Sequence, residues 1–112
     1  MSAPASRPGA DRTSAPATPH TPPHLVELRR LLHREPELRF AEHRTAALLA
    51  ERIGAAGYRV RTGVGRTGIV ATLTGAAPGP HLLLRADMDA LPVQDAKTVA
   101  WASTVPGVTH AC

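Results

Sequence analysis

Residues 58–73 read Tyr58-Arg59-Val60-Arg61-Thr62-Gly63-Val64-Gly65-Arg66-Thr67-Gly68-Ile69-Val70-Ala71-Thr72-Leu73. Two structures compete for this stretch. Gly63, Gly65 and Gly68 spell G-x-G-x-x-G, and Asp87 follows 19 residues after the last of them, a spacing that imitates a dinucleotide fingerprint. That motif works only when a helix opens in the glycine loop, so that its first amides face a pyrophosphate. Here the glycines lead into Ile69-Val70-Ala71-Thr72-Leu73, a β-prone run, and before them Tyr58 and Val60 alternate with Arg59 and Arg61. The period is two on both sides of the glycines. The stretch therefore predicts a hairpin, with strands over Tyr58–Thr62 and Ile69–Leu73 and a turn over Gly63–Gly68.

Upstream the period is helical. Leu25, Leu28, Leu31 and Leu32 recur on one face, with Thr21 as a candidate cap, Pro22 at the first helical position and Pro36 as the stop. A second helix is expected over Ala41–Ala56, with Leu48, Leu49 and Ile53 on its apolar face and Gly57 in the left-handed position after its end. Downstream, Gly75–Pro80 reads as a turn and His81–Arg85 as a third strand, which short connections would join into an antiparallel meander. Leu82, Leu83 and Leu84 are consecutive, so both faces of that strand call for apolar cover, whereas only two helices are encoded. The expectation is an α/β chain that forms the front part of a larger domain.

Residues 1–24 hold six of the eleven prolines among Ala, Ser, Thr and Arg, with no apolar period. They read as a disordered tail before a structured part over 25–112. The first residues lack an apolar core of the kind a secretory signal needs, and no run approaches a membrane span. With Cys112 as the single cysteine, a disulfide framework is excluded, and the expected location is cytoplasmic. The net charge is +4. Arg29, Arg30 and Arg34 are flanked by Glu27, Glu35 and Glu37 and have no interleaved aromatics on which bases could stack. A solvated helix face is the better reading than a nucleic-acid surface. Phe40, Tyr58 and Trp101 are the only aromatic residues, so the chain is poor in its best core material.

Two short constellations carry chemistry. Asp87-Met88-Asp89 follows the expected third strand, where α/β folds gather functional groups, and paired carboxylates can hold a hard cation or split their pKa values. The competing reading is a turn, which Asp also favours. His110-Ala111-Cys112 sets an imidazole beside a thiol, a donor pair suited to zinc or another late divalent metal. Against it stands the ordinary behaviour of a lone cysteine as a small hydrophobe.

Taken together, Leu28-Arg29-Arg30-Leu31-Leu32-His33-Arg34-Glu35-Pro36-Glu37-Leu38, Glu42-His43-Arg44-Thr45-Ala46, Gly65-Arg66-Thr67-Gly68-Ile69-Val70-Ala71, Leu84-Arg85-Ala86-Asp87-Met88-Asp89-Ala90-Leu91-Pro92 and the run from Ala102 to Cys112 occur in an order that resembles the start of the M20 metallopeptidase family, in its amidohydrolase branch. The resemblance spans about residues 25–112. It implies a partial three-layer, zinc-peptidase-like catalytic domain and a hydrolase acting on the amide of N-acyl amino acids. It also implies two divalent metal ions (Zn, Mn, Co or Ni), a small-molecule substrate and homodimeric relatives. It makes Cys112 a metal-binding thiolate and Asp87 the catalytic-site carboxylate that orients the metals. Arg85 stands where the wider family has a histidine ligand, and Thr109 where methionine is usual.

The ligands and general base that the family places after Cys112, and its lid domain, have no counterpart in these residues. Metal-assisted hydrolysis needs a bound water, a base and an oxyanion stabiliser. The chain is thus expected to be an N-terminal fragment that is inactive alone and holds no metal tightly. The alternatives are a non-catalytic fragment that pairs with a full-length homologue or the missing half, and, further off, a small basic nucleic-acid binder.

Overall fold

The computed structural model describes residues 20–112, so most of the expected tail lies outside the described residues. Four elements follow in order: α1 over Pro23–Arg34, α2 over His43–Ala55, β1 over Arg59–Val64 and β2 over Gly68–Thr72. In α1, Pro23 takes the first helical position, where its fixed φ is preorganised and its missing amide costs nothing. The expected Thr21 cap does not form. Pro22 occupies the cap position, without a side-chain bond, so Thr21 sits one residue too early to serve the first-turn amides. The Pro22 carbonyl instead accepts from the amides of Leu25 (3.0 Å) and Val26 (3.3 Å). At the other end, Glu35 leaves helical geometry directly before Pro36, as expected. Likewise α2 stops as Gly57 adopts φ +93°.

The hairpin forms where residues 58–73 predict it. β1 and β2 are antiparallel, with Arg59 opposite Thr72, Val60 opposite Ala71 and Arg61 opposite Val70, before the register slips by one to pair Val64 with Gly68. The slip is a bulge on β1, and the glycines that imitate a nucleotide loop supply the geometry of the turn. Gly63 and Gly65 have φ of +69° and +58°, and Arg66 follows at +85°. The Arg66 guanidinium lies 4.7 Å from the centre of the Phe40 ring, itself at φ +61°, so the turn docks on the loop before α2. α2 packs across the hairpin.

The third strand is a correction. Residues 81–85 form no strand, and Leu82, Leu83 and Leu84 are 85%, 91% and 85% exposed. A strand exists only through a partner. The Pro78-Gly79-Pro80 run, with two prolines that cannot donate to a ladder, carries the chain off β2 without turning it back. The observed sheet is therefore two-stranded among the described residues.

Beyond it the chain returns through two isolated bridges: Leu38 with Ala90, parallel, and Leu91 with Thr109, antiparallel. The buried positions are mostly polar. Pro36, Ala46 and Ala90 are the buried apolar residues, beside His33, Glu42, Thr45, Thr67 and Thr109.

Candidate functional site

The Leu91–Thr109 bridge organises the C-terminal third. Each residue's amide donates to the other's carbonyl, at 2.9 and 3.1 Å, closing the loop 92–108. This pairing draws the acidic motif on one side of the loop toward the His110–Cys112 motif on the other. It is anchored in turn by the Ala90 amide, which donates to the Glu37 carbonyl at 2.8 Å.

The loop is seated on the last turn of α1, which offers carbonyls without helical partners. The Thr104 amide and hydroxyl both donate to the Arg34 carbonyl, at 2.9 and 2.8 Å. His33 Nδ1 lies 3.0 Å from the Trp101 carbonyl, which can only accept, so this nitrogen is the donor. Arg30 covers the Trp101 ring at 3.9 Å from its centre. Within the loop, Asp95 accepts from the amides of Ser103 (2.9 Å) and Lys97 (3.1 Å), and these bonds, with the nearby Lys97 ammonium, hold its carboxyl below the usual range. One Asp95 oxygen stands 3.9 Å from His33 Nδ1.

Cys112 and His110 line a cleft of about 330 Å³ whose other wall is α1, through Leu25, Leu28, Arg29, Leu32 and His33. Cys112 is exposed. The His110 Nε2 is buried and has no hydrogen-bond partner among the described residues. Burial lowers the His110 pKa, the neighbouring His33 adds to this, and the Asp89 charge opposes it. Asp87 is exposed and bonded to the Arg85 guanidinium at 3.1 Å. No three His, Cys, Asp or Glu side chains converge as a metal-holding group among the described residues. By themselves, then, the donors described here do not fit a two-metal site.

Four residues with chemistry-bearing side chains have a different task. Glu37 accepts from the Arg44 amide (3.1 Å), the Thr45 amide (2.6 Å) and the Thr45 hydroxyl (2.7 Å), serving as a distant cap for α2. Glu42 accepts from the Thr67 hydroxyl at 2.6 Å, which fastens the start of α2 to the hairpin turn. Burial pushes both glutamates up, but the bonds from Thr45 and Thr67, and for Glu37 those from Arg44, outweigh it and leave both below the ordinary value. Glu37, Glu42, Thr45 and Thr67 all lie in the runs shared with the M20 family, where the resemblance implies no role for them. Their signal is weak because an acid eight residues before the hydroxyl it bonds matches no local capping pattern.

No protein-family model matches the chain. The Bacillus subtilis protein YhaA is 52% identical over 88 residues, covering 79% of this chain and 22% of that protein. The N-acyl-L-amino acid amidohydrolase of Geobacillus stearothermophilus is 42% identical over 88 residues, 79% of this chain and 24% of that enzyme. Among solved structures, the Bacillus subtilis YXEP protein, a dinuclear metal-binding peptidase of the M20 family, superposes with a TM-score of 0.74 at 36% identity. That match covers 80% of this chain and 25% of the YXEP chain. The chain thus spans about a quarter of the length of the relatives it matches.

Proposed function

Because the chain corresponds in sequence and fold to part of the M20 amidohydrolases, we propose that it contributes one side of the catalytic centre of an enzyme hydrolysing the amide of N-acyl amino acids. The observation that carries this is the Leu91–Thr109 pairing, which closes a 17-residue loop and sets Asp89 of the acidic motif near enough to His110 for its charge to act on that imidazole. Cys112, an exposed thiol at the mouth of a cleft, is the metal-binding residue of this reading. Asp87 is the catalytic-site carboxylate, held by Arg85. Zinc, manganese, cobalt and nickel are the candidate ions, and the remaining ligands and the general base come from residues outside this chain. Residues 25–112 are then part of the catalytic domain, and no helix among those described is long and apolar enough to cross a membrane.

The test is a chimera in which this chain replaces the matching segment of the Geobacillus enzyme, assayed on N-acetyl amino acids with each metal. Turnover by the chimera, lost in Cys112→Ala and reduced at least tenfold (about 1.4 kcal/mol) in Asp87→Asn, is the expected result. The 112-residue polypeptide alone should show none, since catalysis by a bound metal needs more ligands and a base. A folded chimera whose turnover survives Cys112→Ala would sink the assignment of that residue.

A second reading is favoured by the bare Leu82–Leu84 run, which suits pairing with another polypeptide. It makes the chain a binding fragment, and association without turnover in the chimera would select it.

A further inference from the structure

Resting on the reading above, we propose that His33 and Asp95 are positioning residues, acting together through the loop 92–108 to fix where Cys112 stands relative to α1. Two observations independent of the cysteine carry it. His33 is only 4% exposed although the residues on either side of it in the last turn of α1, Leu32 and Arg34, are half-buried and exposed, and its Nδ1 is committed to the Trp101 carbonyl. The Asp95 side chain is 3% exposed and sits behind the same nitrogen at 3.9 Å, its two oxygens engaged by amides at either end of the segment 97–103.

A buried imidazole, and a carboxylate whose side chain is screened from water by its own loop, are costly unless their geometry is satisfied, so the loop has a preferred seat on α1. Both ends of that loop are locked by the Leu91–Thr109 bridge, and Cys112 follows three residues after it. The seat of Trp101 is thereby transmitted to the thiol. His33 also forms part of the cleft wall facing Cys112, so the residue that holds the loop also shapes the space in front of the thiol.

The chain holds one tryptophan and one cysteine, Trp101 and Cys112, which makes the test direct. A thiol-reactive fluorophore that accepts tryptophan emission is attached to Cys112 of the full 112-residue chain, diluted with unlabelled chain at submicromolar concentration so that transfer within one molecule is read, and energy transfer from Trp101 is measured alongside far-UV circular dichroism. High transfer in the unsubstituted chain should fall toward its value in guanidinium in His33→Leu and Asp95→Ala, with the helical signal retained. His33→Asn should restore it, because its amide nitrogen replaces Nδ1 as donor to the Trp101 carbonyl. Three results would overturn the proposal: unchanged transfer in His33→Leu and Asp95→Ala, no rescue by His33→Asn, or loss of the helical signal in all variants, which would make these residues determinants of folding. Transfer in the unsubstituted chain no higher than in guanidinium would overturn it too. None of these readouts involves hydrolysis or metal, so failure of the amidohydrolase reading shows only in the chimera.

Discussion

Glu37 shows how much of this fold hangs on single polar side chains. Its carboxylate satisfies two amides at the open end of α2 and one hydroxyl, where α2 has no side-chain bond from its own cap residue, Glu42. Glu37→Ala should therefore cost about 1 kcal/mol locally, the scale of a lost cap. The measurement is amide hydrogen exchange by NMR, in which the protection of Arg44 and Thr45 should fall roughly five- to tenfold while β1 and β2 change little. Unchanged protection would mean that water replaces the carboxylate without loss. The pH dependence has a definite sign. Glu37 and Glu42 both titrate below their ordinary value of 4.5 in the folded chain. Their contribution is thus fully present above that value and is lost as pH falls through the folded pKa values. Protection factors in the first turn of α2 should decline in that acid window, and Glu37→Gln should flatten the decline.

At the level of elements, the hairpin turn is the most constrained part of the backbone. An added Cβ at Gly68 would run into the Val64 carbonyl, whereas at Gly75 it would meet open space. Gly68→Ala should accordingly destabilise the hairpin by about 1–3 kcal/mol, as overpacking against backbone does, and Gly75→Ala should be near neutral. Loss of cross-strand contacts between Val60 and Ala71 in the NMR spectrum of the first variant alone is the expected outcome. Equal spectra for the two would refute the steric account.

The same elements mark what the sequence makes legible. Both helices and the hairpin follow from local periods and breakers, since Pro36, Gly57 and the glycines of the turn act within a few residues of themselves. His81–Arg85 does not follow, because a strand is decided by its neighbour, and a Leu run states only a need for cover. The site divides in the same way. Asp87 and Cys112 stand out by residue type and order. The Glu37–Thr45, Glu42–Thr67 and His33–Trp101 contacts join residues 8, 25 and 68 positions apart and have no local signature.

Taken whole, the described structure buries only Pro36, Ala46 and Ala90 among its apolar residues and leaves Leu82, Leu83 and Leu84 almost fully in water. Covering those three side chains would contribute roughly 2 kcal/mol each, a large sum beside the 5–15 kcal/mol net stability typical of a folded domain. Between α1 and α2, Leu31, Leu32 and Leu48 line an open cleft rather than a filled core, and the closer packing of elements is that of α2 on the hairpin. The unpaired sheet edges add hydrogen-bonding groups that a second chain can satisfy. The 112-residue polypeptide in isolation should therefore associate at micromolar concentration, and heating should give a gradual loss of helical signal without a cooperative transition. Replacing Leu82, Leu83 and Leu84 together by Lys should suppress the association and leave the hairpin spectrum intact, because those side chains touch neither strand of it. Sedimentation and calorimetry of both chains decide the matter. A monodisperse monomer with a sharp, reversible transition would show that two helices and one hairpin, tied by buried polar contacts, suffice as a domain.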